Sequence, residues 1–411
     1  METIRSSFTK ISLRATVMAI LLLLLIGVAD TASAQTFSLL HFFVGEDGAL
    51  PRAGVTVDQR NGKIYGTTFS GFLGFGWGSA YEIRPLGQNF VFNVIQEFDG
   101  QPVDRVVIAP SGILYGTTSN AIFNFVYGYV FSVQPPLSVC KTTLCPWNFH
   151  SVYGFPLNGS NGVSPLGGTL VFDHTGNNMY GTTSAGGASG AGVVYQLTTS
   201  GVETPIYEFT GSPDGATPNA GVIFDAAGNL YGVTAGGGTA NQGTVFKLTP
   251  NGGGWSEQVI YNFGGGSDGN APVGGVAFDA FGNLYGSTVS GGSGGGGTVF
   301  QLTPNGSGWD YHLLYSFSGA ANCGPKAEVS LDAAGNVYGT TYCDGAFSDG
   351  SVFKLTNSGG NFTYSTLHDF TGQNDGKWPY SNVSFDAAGH LYGTAERGSR
   401  FGAGDVWEIT Q

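Results

Sequence analysis

Five carboxylates in this chain could do acid–base work. Asp99, Asp104, Asp375, Glu396 and Asp405 fall in or beside loops near the two ends of the repeated region described below. Glycoside cleavage needs two carboxyl groups about 5–10 Å apart on either side of one bond. A pair drawn from these five would suit a carbohydrate-active enzyme, a glycosidase or a lyase, and solvated loop acids are the competing reading. Histidine chemistry has less support. Of His41, His150, His174, His312, His368 and His390, five lie on or beside expected strands and His174 lies in a turn. None falls in a loop where a ligand is expected, which argues against a Ser-His-Asp triad and against His-ligated metal. No catalytic residue, metal or cofactor is assigned. Gly-rich runs such as "SAGGASGAG" and "SGGSGGGG" lead into strands, whereas a phosphate cradle needs a following helix N-terminus.

A second set of residues could bind rather than react. "FSGFLGFGWGS" carries Phe72, Phe75 and Trp77, and "SNAIFNFVYG" carries Phe123, Phe125 and Tyr127. Near the C-terminus stand Trp378, Tyr380 and Phe401, with Arg397 and Arg400. Exposed rings mark contact surfaces. Sugars stack on them, and peptide or protein partners use them too. The competing reading is that these loops fold over and plug a central channel.

The elements that position these residues come from a repeat. A Tyr-Gly core recurs at Tyr65, Tyr115, Tyr180, Tyr231, Tyr285, Tyr338 and Tyr392. The spacing is near fifty residues except across "QPPLSVCKTTLCPW", an insertion expected at 134–149. A fixed period of this size means one supersecondary unit per copy. In the fifth copy, "GVAFD", "NLYGST", "GTVFQL" and "WDYHLLYSF" are short β-branched and aromatic runs separated by Gly, Asn, Asp and Pro. Four antiparallel strands in each of seven units predict an all-β, seven-bladed β-propeller. No helical periodicity appears after the leader. The opening "FSLLHFF" matches a fourth strand and the closing "DVWEIT" a third. The N-terminal strand is therefore expected to complete the last blade and close the ring, removing an exposed edge.

Repeated acids read as turn chemistry. Asp173, Asp225, Asp279, Asp332 and Asp386 each end a first strand with two residues between them and a Gly, as an Asx turn requires. Asp47, Asp99, Asp214, Asp268 and Asp375 precede Gly between blades, on the face where ligands are expected.

The cell address is legible as well. Arg5, Lys10 and Arg14 precede the apolar run Ala15–Val28, and Ala32-Ser33-Ala34 fits a cleavage site. Residues 1–34 read as a signal peptide cleaved after Ala34; a retained membrane anchor is the alternative. Residues 35–411 then form one propeller domain. The 411-residue chain has a formal net charge of −13. The leader holds three bases and two acids, so the remainder is one charge more acidic. Nucleic acid and anionic membranes are poor partners for such a chain, and a soluble monomer is expected. Export also suggests disulfides. Cys323 and Cys343 are expected on the same face of one blade, which pairs them and leaves Cys140 with Cys145. No His lies near either pair to support a metal site.

The units "FDAAGNLYGVTAGGGTANQGTVFKLTP" and "FDAFGNLYGSTVSGGSGGGGTVFQLTPNGSGWDYHLLYSF" resemble the GloVer tandem-repeat family. These are exported bacterial proteins of the choice-of-anchor type. The resemblance spans nearly the whole processed chain and is specific in blades three to seven. Blades one and two depart from it: "VDQRNGKIYG" has an extra turn residue and "IAPSGILYG" lacks the Asp. It implies a secreted, periplasmic or cell-surface propeller and no established activity. The leading expectation is a non-catalytic, exported propeller that binds a glycan or an extracellular protein through loops of blades seven, one and two. A carbohydrate-active enzyme and a structural envelope protein are the alternatives.

Overall fold

Short β-rich runs punctuated by Gly turns give strands of two to nine residues in the computed structural model, which describes residues 35–71, 77–87, 89–121, 126–136, 147–166 and 168–410. Among these residues there is no helix, and seven sheets each carry a four-stranded antiparallel blade, the four strands coming in chain order in blades one to six. The fold is a seven-bladed β-propeller. Blade five shows the pattern: Val276–Phe278, Leu284–Thr288, Thr298–Asn305 and Gly308–Ser316, paired in that order. Blade two adds a short pairing of Gly100–Pro102 beside its second strand. In blade seven, the strand Thr36–Phe42 lies beside Asp405–Thr410.

The repeated residues have distinct structural tasks. The Gly of each Tyr-Gly core carries the ring of a third-strand aromatic. A Cβ on Gly286 would stand 2.5 Å from Phe300 Cζ, and one on Gly393 would stand 2.2 Å from the Trp407 indole. The Tyr of the core reaches back to the turn aspartate: Tyr231 Oη donates to Asp225 and Tyr285 Oη to Asp279, both at 3.1 Å. That aspartate also accepts two backbone N–H bonds and the Asn amide, as for Asp279 from Phe281, Asn283 and Asn283 Nδ2. The turn acids are thus scaffold.

The hydroxyls after the core lace the ring. Thr67 Oγ1 donates to Asp104 O, Thr182 to Ala220 O, Ser287 to Ala327 O and Thr340 to Ser381 O. Each bond runs from one blade to the next. Thr394 Oγ1 makes the same bond from blade seven to Ala53 O of blade one, at 3.0 Å. In blades one, four, five and six the next hydroxyl pairs with a hydroxyl of the third strand, as in Thr288–Thr298 at 2.9 Å. Blades two and three place Tyr129 and Val193 opposite that Thr, and blade seven places Ala395 opposite Asp405. The core lies between blades: Val55, Ile64, Tyr81 and Ile83 of blade one pack with Tyr392 and Val406 of blade seven.

Candidate functional site

Each blade enters the centre of the ring through one short segment. Six of these read Pro-x-x-x-Val, from Pro51–Val55 to Pro379–Val383; blade three has one residue more, Pro165–Leu170. The Val, or Leu170, is buried between blades. The first residue after the Pro lines a central cavity of about 740 Å³, and so does the third. The residue before the Pro has φ between 51° and 58° at Leu50, Ser164, Thr217, Ala271 and Trp378. This recurs in blades whose channel residues differ, so it is how the chain turns inward and belongs to the scaffold.

The first-position ring is polarised. Blades two, three, four and five supply Val103, Leu166, Asn219 and Val273, while blades six, seven and one supply Lys326, Tyr380 and Arg52. Arg52 pairs with Glu396 at 3.1 Å and stacks on Phe69 at 4.0 Å. Lys326 Nζ stands 3.5 Å from the Tyr342 ring centroid and 5.3 Å from that of Tyr380. Tyr342 also meets Trp378, which lies beneath Lys377 Nζ. Each cation–π contact contributes about 0.5–2 kcal/mol, more as water is excluded. Burial holds the Lys326 ammonium below the usual lysine range; Glu396 opposes this and Arg52 adds to it. One layer along, Arg105 of blade two reaches Glu328 of blade six at 3.3 Å. Gly54 and Asn382 occupy the equivalent positions of the blades between them, and a Cβ on Gly54 would collide with Asn382 Oδ1.

A disulfide fixes the Lys326–Tyr342 contact. Cys323 and Cys343 are bonded, and Tyr342 N donates to Gly324 O while Cys343 N donates to Cys323 O. The segment that carries Lys326 is thereby tied to the strand end that carries Tyr342. The bond spans 20 residues, so replacing both cysteines by serine is expected to cost about 3 kcal/mol in urea unfolding. A loss under 1 kcal/mol would show that the clamp does not hold the blade. The other expected pair, Cys140–Cys145, lies outside the described residues.

The sequence-nominated residues are divided by this geometry. Tyr380, Glu396 and Asp104 line the channel. Asp104 accepts from Thr117 Oγ1 at 2.9 Å, and burial raises its carboxyl to about 7 against the pull of that bond, a backbone bond from Gly168 and Arg105. Trp378 adjoins the channel through Tyr342. Asp375 is held by Thr371 and by His368 Nε2 at 3.1 Å, just as Asp214 is held by Thr210 and Tyr207. Asp99 accepts from Tyr129 Oη at 2.8 Å. Asp405 is wholly buried, and burial followed by Asp375 pushes its carboxyl well up. Ala395 N–H and the Ser399 hydroxyl lie beside it without a hydrogen bond of standard geometry. Arg400 stacks on Phe401, which packs on Phe42. Arg397 pairs through its backbone with Lys377. Trp77 and Tyr127 are exposed, and Phe72, Phe75, Phe123 and Phe125 lie outside the described residues. The aromatic and charged cluster the structure assembles therefore centres on blades six, seven and one. Arg52, Arg105, Lys326, Glu328 and Tyr342 were not nominated from sequence. The Pro-x-x-x-Val phase was the available signal, because it aligns the channel positions of all blades.

The family follows from the blades themselves. The Gloeobacter/Verrucomicrobia repeat matches residues 138–278 and 256–411, from the end of blade two onward. The chain belongs to this repeat family. In this Gloeobacter/Verrucomicrobia repeat protein, blade one and the first three strands of blade two lie outside the matched span, and they supply Arg52, Phe69, Asp104 and Arg105 to the channel. No curated protein matches in sequence. Solved structures resemble the repeat protein at low identity. A protein assigned as a 6-phosphogluconolactonase from Bacteroides uniformis is 14% identical, covering 80% of this chain and 90% of its own, with a TM-score of 0.50. The gluconolactonase XC5397 from Xanthomonas campestris is 12% identical, covering 73% and 82%, with a TM-score of 0.42. A Thermus thermophilus protein assigned as an oxidoreductase (glucose dehydrogenase) is 12% identical, covering 92% and 100%, with a TM-score of 0.44. At these identities the likeness is one of fold.

Proposed function

We propose that this protein is an exported binding propeller that holds a glycan at the mouth of its channel, against blades six, seven and one. One observation carries the reading. The channel ring is uncharged at blades two to five (Val103, Leu166, Asn219 and Val273) and concentrates Lys326, Tyr380 and Arg52, backed by Tyr342 and Phe69, in a single sector. Aromatic rings beside a few fixed polar groups suit a sugar, whose apolar face stacks while its hydroxyls bond. Export is supported by the Cys323–Cys343 bond, which suits an oxidising compartment, and by the leader pattern of residues 1–34. The test is retention on a broad glycan array. Tyr380→Ala is expected to weaken binding at least tenfold, while Tyr127→Ala, at the start of the third strand of blade two, leaves it unchanged. The reverse ranking would move the site to the outer loops.

A second reading rests on Asp104. A buried channel carboxyl held near 7 is poised for proton transfer, and Glu396 lines the same cavity. A carbohydrate-active enzyme would release reducing ends from a bound polysaccharide and lose that activity on Asp104→Asn or Glu396→Gln.

A further inference from the structure

Among the described residues, the carboxylates of the channel sector are already engaged. Glu396 holds Arg52 and Glu328 holds Arg105. Lys326 is different. Its ammonium has no carboxylate within ion-pair distance, rests on the Tyr342 face at 3.5 Å, and points into the cavity from a segment clamped by a disulfide. A half-buried cation costs free energy unless it is paired, and aromatic contact offsets only part of that cost. The clamp prevents the segment from swinging out to recover full hydration.

The distribution of charge points the same way. The sequence from Gln35 onward contains twelve Lys and Arg residues in a strongly acidic chain. Half of them, Arg52, Arg105, Lys326, Lys377, Arg397 and Arg400, lie in the channel segments or in the two loops of blade seven on the same face. Asp104, Glu328, Asp375 and Glu396 stand in the same segments and loops, and Arg52 and Arg105 are paired with Glu396 and Glu328, so among the cavity-lining cations Lys326 is the one without an ion pair among the described residues.

We propose that the ligand of this channel is an acidic glycan, with a uronate carboxylate seated on Lys326 Nζ and the sugar ring against Tyr380. This rests on the glycan-binding reading above and names its chemical class. Arg52 is already neutralised by Glu396, so the carboxylate is directed to Lys326. Toward Val103, Leu166 and Val273 the further lining cation is Arg105, which Glu328 already engages, so one carboxylate per bound segment is recognised rather than a densely sulfated chain.

The experiment compares matched pairs of glycans: polygalacturonate, alginate, hyaluronan and heparosan oligosaccharides, each beside its carboxyl-reduced neutral form. Binding of the purified protein is measured by calorimetry at low and moderate salt. At least one acidic form is expected to bind tenfold or more tightly than its reduced form. Lys326→Met and Lys326→Gln are each expected to abolish that preference, and Lys326→Arg to keep part of it, with unfolding transitions within a few degrees of wild type. Equal binding of the acidic and reduced forms, or a preference that survives in folded Lys326→Met and Lys326→Gln, would overturn the uronate assignment and leave glycan binding standing. Absence of binding to every glycan on the array and in these pairs would remove both.

Discussion

Raising the pH from about 4.5 to 8 is expected to destabilise this protein by several kcal/mol, the reverse of the usual behaviour of surface carboxylates. The cause is buried acid. Asp104 is held up to about 7 by burial, and Asp405, wholly buried where blades one, four, five and six pair two hydroxyls, is held well above its ordinary range by burial. Between roughly pH 4 and 7 the native state keeps a proton on Asp104 that the unfolded chain has released. Unfolding then releases a proton, so rising pH favours it. A displacement of about three pH units corresponds to about 4 kcal/mol for Asp104 alone, an upper figure because water penetration softens it. Burial moves Glu257 in the same direction. The turn aspartates act oppositely. Burial pushes Asp225 and Asp332 up, but hydrogen bonds from Asn, Tyr and backbone N–H groups outweigh it and hold both below their ordinary value. Their contribution is present above the unfolded pKa and is lost as pH falls through the folded one. A maximum near pH 4–5 results. Urea unfolding across this range checks it, and Asp104→Asn and Asp405→Asn should each flatten the alkaline limb. A profile flat from pH 4.5 to 8, or an unchanged slope in both variants, would contradict the assignment.

The second large effect comes from the repeat's glycine. Gly286→Ala is expected to cost about 1–3 kcal/mol or more, the range of overpacked cores, because the new methyl would lie 2.5 Å from Phe300 Cζ and 3.2 Å from Gly275 O. Phe300 is fully buried and cannot retreat. Trimming the ring should therefore rescue the methyl: Gly286→Ala with Phe300→Leu should lose less stability than the sum of the single changes, a coupling that chemical unfolding of the four proteins measures. Additive losses would mean that the glycine serves only backbone conformation.

The same contact shows why the fold was legible. A Tyr-Gly core and a Gly-x-Val-Phe core recur together because the Phe ring needs the bare glycine, the Tyr needs the turn aspartate, and the following hydroxyl needs the next blade's carbonyl. Each requirement is local to one or two blades; the glycine–ring contact recurs in all seven and the other two in most, so period and strand pattern revealed it. Lys326 and Arg52 are not repeated. They occupy a channel position that is Val, Leu or Asn in other blades, and only the ring places blades six, seven and one side by side around one cavity. The long loops of blades one and two break the repeat visibly in sequence, whereas at the proposed site the break is a single side chain after a proline. Asp375, one of the five candidate carboxylates, caps its loop through Thr371 and His368, with His368 standing where Tyr207 and Tyr261 stand in blades three and four.

Hydrogen–deuterium exchange of the protein with and without a glycan it retains addresses the site most directly. Slowed exchange is expected in Lys326–Val329, Tyr342–Cys343 and Tyr380–Val383 together, with the turn segments on the opposite face, such as Asp279–Asn283, unchanged. Protection confined to the outer loops around Trp77 and Tyr127, with the three channel segments unaltered, would contradict a ligand held at the channel mouth.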